Sequence, residues 1–382
     1  MRQIDTLTVQ FSPRGVLLGH SPAQEWRAEN VAQLAELPER VARWRREFPE
    51  QPVAGLLSYE AGAALQGLPA VDSGMAPLAV LRRFEPQSWF CLTNKELASA
   101  LPDAPPWGLA QPMAAECGKA DYLAAINRIL AYLIAGDCYQ VNLAQRFSAR
   151  LSGHPLNAWR ALLDGHAAPW SQYFGLGGSD AVFGVSPECF LRVTGRQLYT
   201  APIKGSRPVS GKAIADDQIA RELEHNPKDR AENLMIVDLL RNDLGKVAEP
   251  GSVTTPELFA LQRFSNVMHL VSTVQARLRD DQTPMDALLA CFPGGSITGA
   301  PKKRAMEIIQ ELEHAPRHFY CGTQFWLTDN DDMESNILIR TFQALDGTLY
   351  CHGGGGIVMD SDPEQEWLES RFKIDALMDA LL

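Results

Sequence analysis

Strand-like runs arrive in groups along this chain rather than singly, and that grouping constrains the fold more than any one residue does. "CYQVNLAQRFSARL" (138–151), "DAVFGVSPECFLRV" (180–193) and "RQLYTAPIK" (196–204) form one group. "FYCGTQFWLTD" (319–329), "NILIRTFQAL" (336–345) and "TLYCHGGGGIVMD" (348–360) form another. Helical patterns stand between and around them. "KADYLAAINRILAYLIAGD" carries Tyr122, Ile126, Ile129, Leu130 and Leu133 at helical spacing and closes at Gly136. "HNPKDRAENLMIVDLLRNDLG" has Asn226 as N-cap, Pro227 at the first helical position and Gly245 just past the end. "APKKRAMEIIQELEHA" opens from a glycine-rich turn, and a last helix is expected from Asp362-Pro363 through Ile374, Leu377, Met378 and Leu381. Grouped strands with interspersed helices point to an α+β fold with large antiparallel sheets, not strict βαβ alternation.

Composition narrows the class. With 46% hydrophobic and 21% charged residues, the 382-residue chain has material for a large core. Its net charge of −11 argues against a nucleic-acid partner, which requires a basic face. The seven cysteines include no C-x-x-C pair, and the histidines show no metal-ligand spacing. No apolar run approaches the ~20 residues that span a bilayer. The start, "MRQIDTLTVQF", lacks the order of a secretory signal, so a cytoplasmic protein without a membrane partner is expected. The Pro-, Ala- and Gly-rich stretch 100–118 sets a divergent amino-terminal part, 1–118, apart from a core of 119–382 within one composite domain.

Several residues carry potential chemistry. Lys204 ends a strand, between Ile203 and Gly205. It is either a surface lysine in water or an amine held in a pocket, where desolvation favours the neutral, nucleophilic form. Glu366, Glu369 and Lys373 share a helix face. They follow four glycines whose N–H groups could approach an anion. Glu232 lies one turn into the helix begun at Asn226. Such carboxylates suit Mg²⁺ if they converge, and an ordinary solvated or dipole-favoured face if they do not. "FPGGSITGAPKKR", with Gly294, Ser296 and Thr298, offers N–H groups and hydroxyls for a carboxylate or phosphate, or is simply a well-made helix start. Arg340 and His269 sit in apolar strands, where structural pairing is the commoner role, and Glu188 stands beside a strand end.

In this order, "GDCYQVNLAQRF", "SPECF", "PIKGS", "KDRAENLMIVDLLRNDLG", "HLVST", "FPGGSITGAPKKRAMEII", "IR" and "GGGGIV" resemble the chorismate-utilising enzymes, densely from about residue 121 to the end. Two positions discriminate within that family. Anthranilate synthases carry alanine where Lys204 stands, and isochorismate and salicylate synthases carry a water-activating lysine where Gln140 stands. The pattern here resembles the members that aminate ring carbon 4.

The resemblance implies two large, mainly antiparallel sheets packed together, helices outside and a single active-site cleft. It implies Lys204 as nucleophile at ring carbon 2, Glu188 as general acid, and His269 and Ser206 near the departing hydroxyl. It places Gly294, Ser296, Thr298, Arg340, Gly354, Gly355, Gly356 and Lys373 around the substrate. It assigns Mg²⁺ to Glu232, Glu366 and Glu369. Ammonia is expected from a class I glutamine amidotransferase subunit. Anthranilate synthesis, or a non-catalytic chorismate-binding regulatory role, are the alternatives. Five positions depart from the family: Cys189 for arginine, Ser206 for threonine, Phe325-Trp326 for Gly-Tyr, and His352 for a small residue. Either the Trp326 indole N–H replaces the tyrosine hydroxyl against a substrate carboxylate, or the pocket is altered.

Overall fold

The computed structural model describes residues 2–69, 74–209, 213–263 and 267–382. Among these, strands build an 11-stranded and a 10-stranded sheet, with antiparallel pairing. The α+β expectation holds. In the larger sheet, Gln140–Gly153 pairs along its length with Thr348–Ile357, so Gly355 lies opposite Leu143 and Gly356 opposite Asn142. In the smaller, Ile203–Pro208 and Val267–Arg277 are neighbours. Strand alternation aims one face of each sheet at the other. Across that junction Gln324 Nε2 donates to Val9 O at 2.9 Å and Asn336 Nδ2 to Trp170 O at 2.9 Å.

Strands from both sides of residue 118 share both sheets. Thr8–Ser12 pairs with Trp170–Gly177, and Val53–Leu57 with Thr323–Leu327. The Pro-rich stretch runs along the larger sheet, where Trp107–Leu109 and Ala114–Ala115 both pair with Gln140–Gly153.

The helix Lys119–Ala135 buries Tyr122, Ile126, Ile129 and Leu133 and ends at Gly136, whose φ of 82° suits glycine. Asn226 caps Pro227–Gly245 by accepting from Asp229 N, though Gly245 is still helical. The carboxy-terminal helix is two pieces, Pro363–Phe372 and Asp375–Asp379. The break at Ile374 (φ −127°) drops that side chain into the core beside Gly353. Burial there outweighs continuing the helix. Two further helices, Pro155–His166 and Ala213–His225, lie in stretches to which the sequence reading assigned no element. No helix is long and apolar enough to cross a membrane among the described residues.

Candidate active site

A bulge aims Lys204. The register against Val267–Arg277 shifts between Lys204 and Ser206, and the intervening Gly205 has φ +72°. A Cβ on Gly205 would meet Leu223 Cδ1 at 2.8 Å and the Asp229 side chain at 3.0 Å, so glycine is required twice over. The Lys204 ammonium then stands 3.8 Å from Glu232 Oε2, with only 12% of its side chain exposed. The Lys204 side chain thus lies mostly buried beside a carboxylate rather than extended into water. The side chain of Ser206 lies outside the described residues.

Glu188 leaves the strand Asp180–Ser186 and is held on both sides of its peptide. Its N–H donates to Ser186 Oγ at 3.3 Å and its carbonyl accepts from Ile337 N at 3.1 Å. The carboxyl is buried and accepts the Ser296 hydroxyl at 2.8 Å. Burial pushes it up to about 7, opposed by that hydrogen bond and by the ammonium charges of Lys204 and Lys373. It is therefore partly protonated near neutrality and can donate a proton.

The glycine strand forms a floor. A Cβ on Gly355 would sit 3.4 Å from Glu366 Oε2, 3.5 Å from Lys373 Nζ and 3.8 Å from Glu369 Oε1. Lys373 donates to Gly354 O at 3.0 Å and pairs with Glu369 at 2.8 Å. Ser361 and Lys228 both reach Glu366 Oε1, at 2.6 and 3.4 Å. Burial first, and then Glu369 nearby, raise the Glu366 carboxyl, while Lys373 chiefly lowers that of Glu369. No three metal-ligating side chains are gathered at ligand distance among the described residues. Each of the three glutamates has a lysine beside it. The oxygen donors of Glu366 and Glu369 over the bare Gly355 nonetheless fit a hard dication.

Arg340 adopts φ +50°, uncommon for a side-chain-bearing residue. Burial lowers its pKa, with no carboxylate among the described residues offsetting it. A guanidinium whose charge is not offset in this way is chemically suited to meeting an anion. His269, on Val267–Arg277 opposite Ser206, is pushed down to about 4 by burial and then by Arg340. It is neutral at pH 7. Gln140, fully buried, has neither amide atom hydrogen-bonded among the described residues and lies against Gly356.

One expected placement changes. Trp326 does not reach this group: strand alternation turns it toward the other sheet, where it packs with Leu17, Ala54 and Phe84 and stacks on Phe84 at 5.2 Å. Thr298 builds the turn, its hydroxyl donating to Gly294 O at 2.8 Å. His352 stacks on Tyr320 at 4.6 Å. Gly294 packs against Ile337, which a Cβ would approach to 3.0 Å. Lys228 and Ser361 were not anticipated. Lys228 is one helical turn before Glu232, a spacing that could have flagged it.

A mostly buried amine and a buried acid, with a lysine and two carboxylates over a glycine strand, make up the candidate site. Residues 5–379 match the family of chorismate binding enzymes, and the chain belongs to that family. Aminodeoxychorismate synthase component 1 of Klebsiella aerogenes is 41% identical over 348 residues, covering 86% of this chain and 76% of that protein. Anthranilate synthase component 1 of Geobacillus stearothermophilus is 43% identical over 263 residues, 69% of this chain and 52% of that protein. The chain thus spans about half of the latter's length. Among solved structures, anthranilate synthase component I from Streptococcus pneumoniae TIGR4 superposes with a TM-score of 0.78 at 25% identity, over 99% of this chain and 93% of that one.

Proposed function

We propose that this enzyme aminates chorismate at ring carbon 4, giving 4-amino-4-deoxychorismate. The observation that carries the reading is Lys204, held beside Glu232 and within the field of the protonatable Glu188. Relatives named for either chemistry are about equally identical to this chain, so overall likeness does not separate them. A lysine at this position favours amination at carbon 4.

Arg340 receives a substrate carboxylate. The Lys204 amine attacks ring carbon 2 as the double bond shifts and the carbon 4 hydroxyl leaves. Glu188 gives that hydroxyl its proton, so water departs. Ammonia then adds at carbon 4, the electrons shift back, and the Lys204 nitrogen leaves carbon 2. Lys204 leaves as the neutral amine, and the new ammonium at carbon 4 sheds the one proton that restores Glu188. The sum is chorismate plus ammonia giving aminodeoxychorismate plus water. Glu232, Glu366 and Glu369 would hold Mg²⁺, which supplies Lewis acidity at the ring carboxylate when bound.

Ammonia is supplied by a separate class I glutamine amidotransferase, a reading supported by the relatives' being named component 1 of a synthase. Incubation of the purified chain with chorismate, Mg²⁺ and ammonium salt, followed by product identification, tests the reading. Aminodeoxychorismate is expected; anthranilate, or no turnover, would overturn it. Product from glutamine without a partner would overturn the supply reading alone.

A further inference from the structure

One edge of the strand Gln140–Gly153 is completed by side chains. On that side, Gly299–Ala300 pairs with Gln140 and Val141, and Ala114–Ala115 pairs with Phe147 and Ser148. Between them the edge groups would lack a strand. Arg317 and Glu313 fill the gap. Arg317 Nη2 donates to Asn142 O at 2.8 Å, and Glu313 Oε1 accepts from Ala144 N at 2.8 Å. Two more bonds, Arg317 Nη2 to Glu313 Oε1 at 2.6 Å and Nε to Oε2 at 2.8 Å, lock the pair in a bidentate fork. The guanidinium is buried and lies over the Tyr59 ring at 4.6 Å.

The same guanidinium reaches the substrate turn. Arg317 Nη1 donates to Ile297 O at 3.0 Å, and Asn142 N donates to Thr298 O at 2.8 Å. The Gly295–Ile297 turn is thereby clamped to the strand at consecutive carbonyls, and Ser296, between Gly295 and Ile297, holds Glu188. We infer that Arg317 is a positioning residue: by bridging Asn142 O and Ile297 O it fixes the turn that presents the Ser296 hydroxyl to Glu188. Glu313 orients the guanidinium in turn. The inference rests on the amination reading only in naming Glu188 the acid, so its test uses no turnover.

The groups facing Glu188 are Ser296, Lys204 and Lys373, with the Cys189 and Cys321 thiols nearby. Of these, Ser296 is the one that Arg317 holds through the turn. NMR of protein carrying carbon-labelled glutamate, with the signal assigned by Glu188→Gln, follows the titration directly. Ser296→Ala is expected to raise the Glu188 midpoint by about one pH unit, the worth of a hydrogen bond to a charged group. Arg317→Lys, which keeps the charge but cannot span both carbonyls, is expected to raise it in the same direction. The double variant is expected to go no further than Ser296→Ala alone. An unshifted midpoint in folded Arg317→Lys, or additive shifts, would overturn the inference. If Arg317→Lys does not fold, Glu313→Gln decides. It keeps an acceptor for Ala144 N but weakens the fork, so a smaller upward shift supports the role and none refutes it.

Discussion

Lys204 Nζ and Glu232 Oε2 stand 3.8 Å apart, both on side chains that are mostly buried. Lys204→Ala is expected to lose most amination at carbon 4. Lys204→Arg is expected not to restore it, because a guanidinium remains protonated and cannot attack. Near-wild-type product from Lys204→Arg, measured by chromatography, would leave the lysine a mere charge.

The pH dependence follows from Glu188. Its carboxyl is raised to about 7, and as an acid it must carry its proton. Turnover that depends on it is therefore full below about pH 7 and declines as pH rises through that value. Glu188→Gln is expected to lower kcat by roughly a hundredfold to ten-thousandfold and to remove that limb. A kcat profile with the same limb in the variant would assign the titration to another group.

Metal dependence has a separate handle. Glu369 is half exposed and, among the described residues, forms its ion pair with Lys373, so Glu369→Ala is expected to leave the fold intact, as read by circular dichroism. Mg²⁺-dependent turnover is expected to vanish in the variant, and in the wild type with excess chelator. Unchanged turnover in either case would remove the carboxylates over Gly355 from the metal assignment.

Local pattern made the helices at 119–135, 227–245 and 302–312 legible, because caps and apolar spacing are contained within each segment. Lys204 was legible as a candidate because it stands between an apolar residue and a glycine at an expected strand end, whereas the structure carries a strand on to Pro208 through a bulge. The fork of Arg317 and Glu313 left no such trace. Its carbonyl partners, Asn142 and Ile297, are 175 and 20 residues from Arg317, and nothing in a local period encodes them. Trp326 shows the same limit from the other side. Alternation says that Phe325 and Trp326 face opposite ways, but only the packing of the two sheets decides which one meets the substrate side.

That placement is testable. Trp326 is fully buried between the sheets and its ring stacks on Phe84. Trp326→Ala is expected to destabilise the fold by about 3–5 kcal/mol, the range for emptying an aromatic core site. Trp326→Phe keeps most of that packing, and its KM for chorismate is expected to match the wild type. A large rise in KM for Trp326→Phe, without loss of stability, would return the indole to the substrate.

Glu60 makes the last expectation, one of stability alone. Its Oε1 accepts Arg317 N at 3.0 Å and His318 N at 3.2 Å, so the carboxyl seats the backbone of the residue that clamps the turn. Burial raises it from 4.5 to about 7, against the pull of these hydrogen bonds. The folded state thus holds this proton more tightly than the unfolded chain does. The resulting contribution is complete below about pH 4.5 and is lost as pH rises through about 7, a swing of about 3 kcal/mol. Glu60→Gln retains an oxygen acceptor for both N–H groups but cannot ionise. Relative to the wild type, its unfolding free energy in urea is expected to improve between about pH 5 and about pH 8 by up to that swing. A difference between variant and wild type that stays constant over this range would mean that Glu60 is charged throughout, and the burial argument would fail.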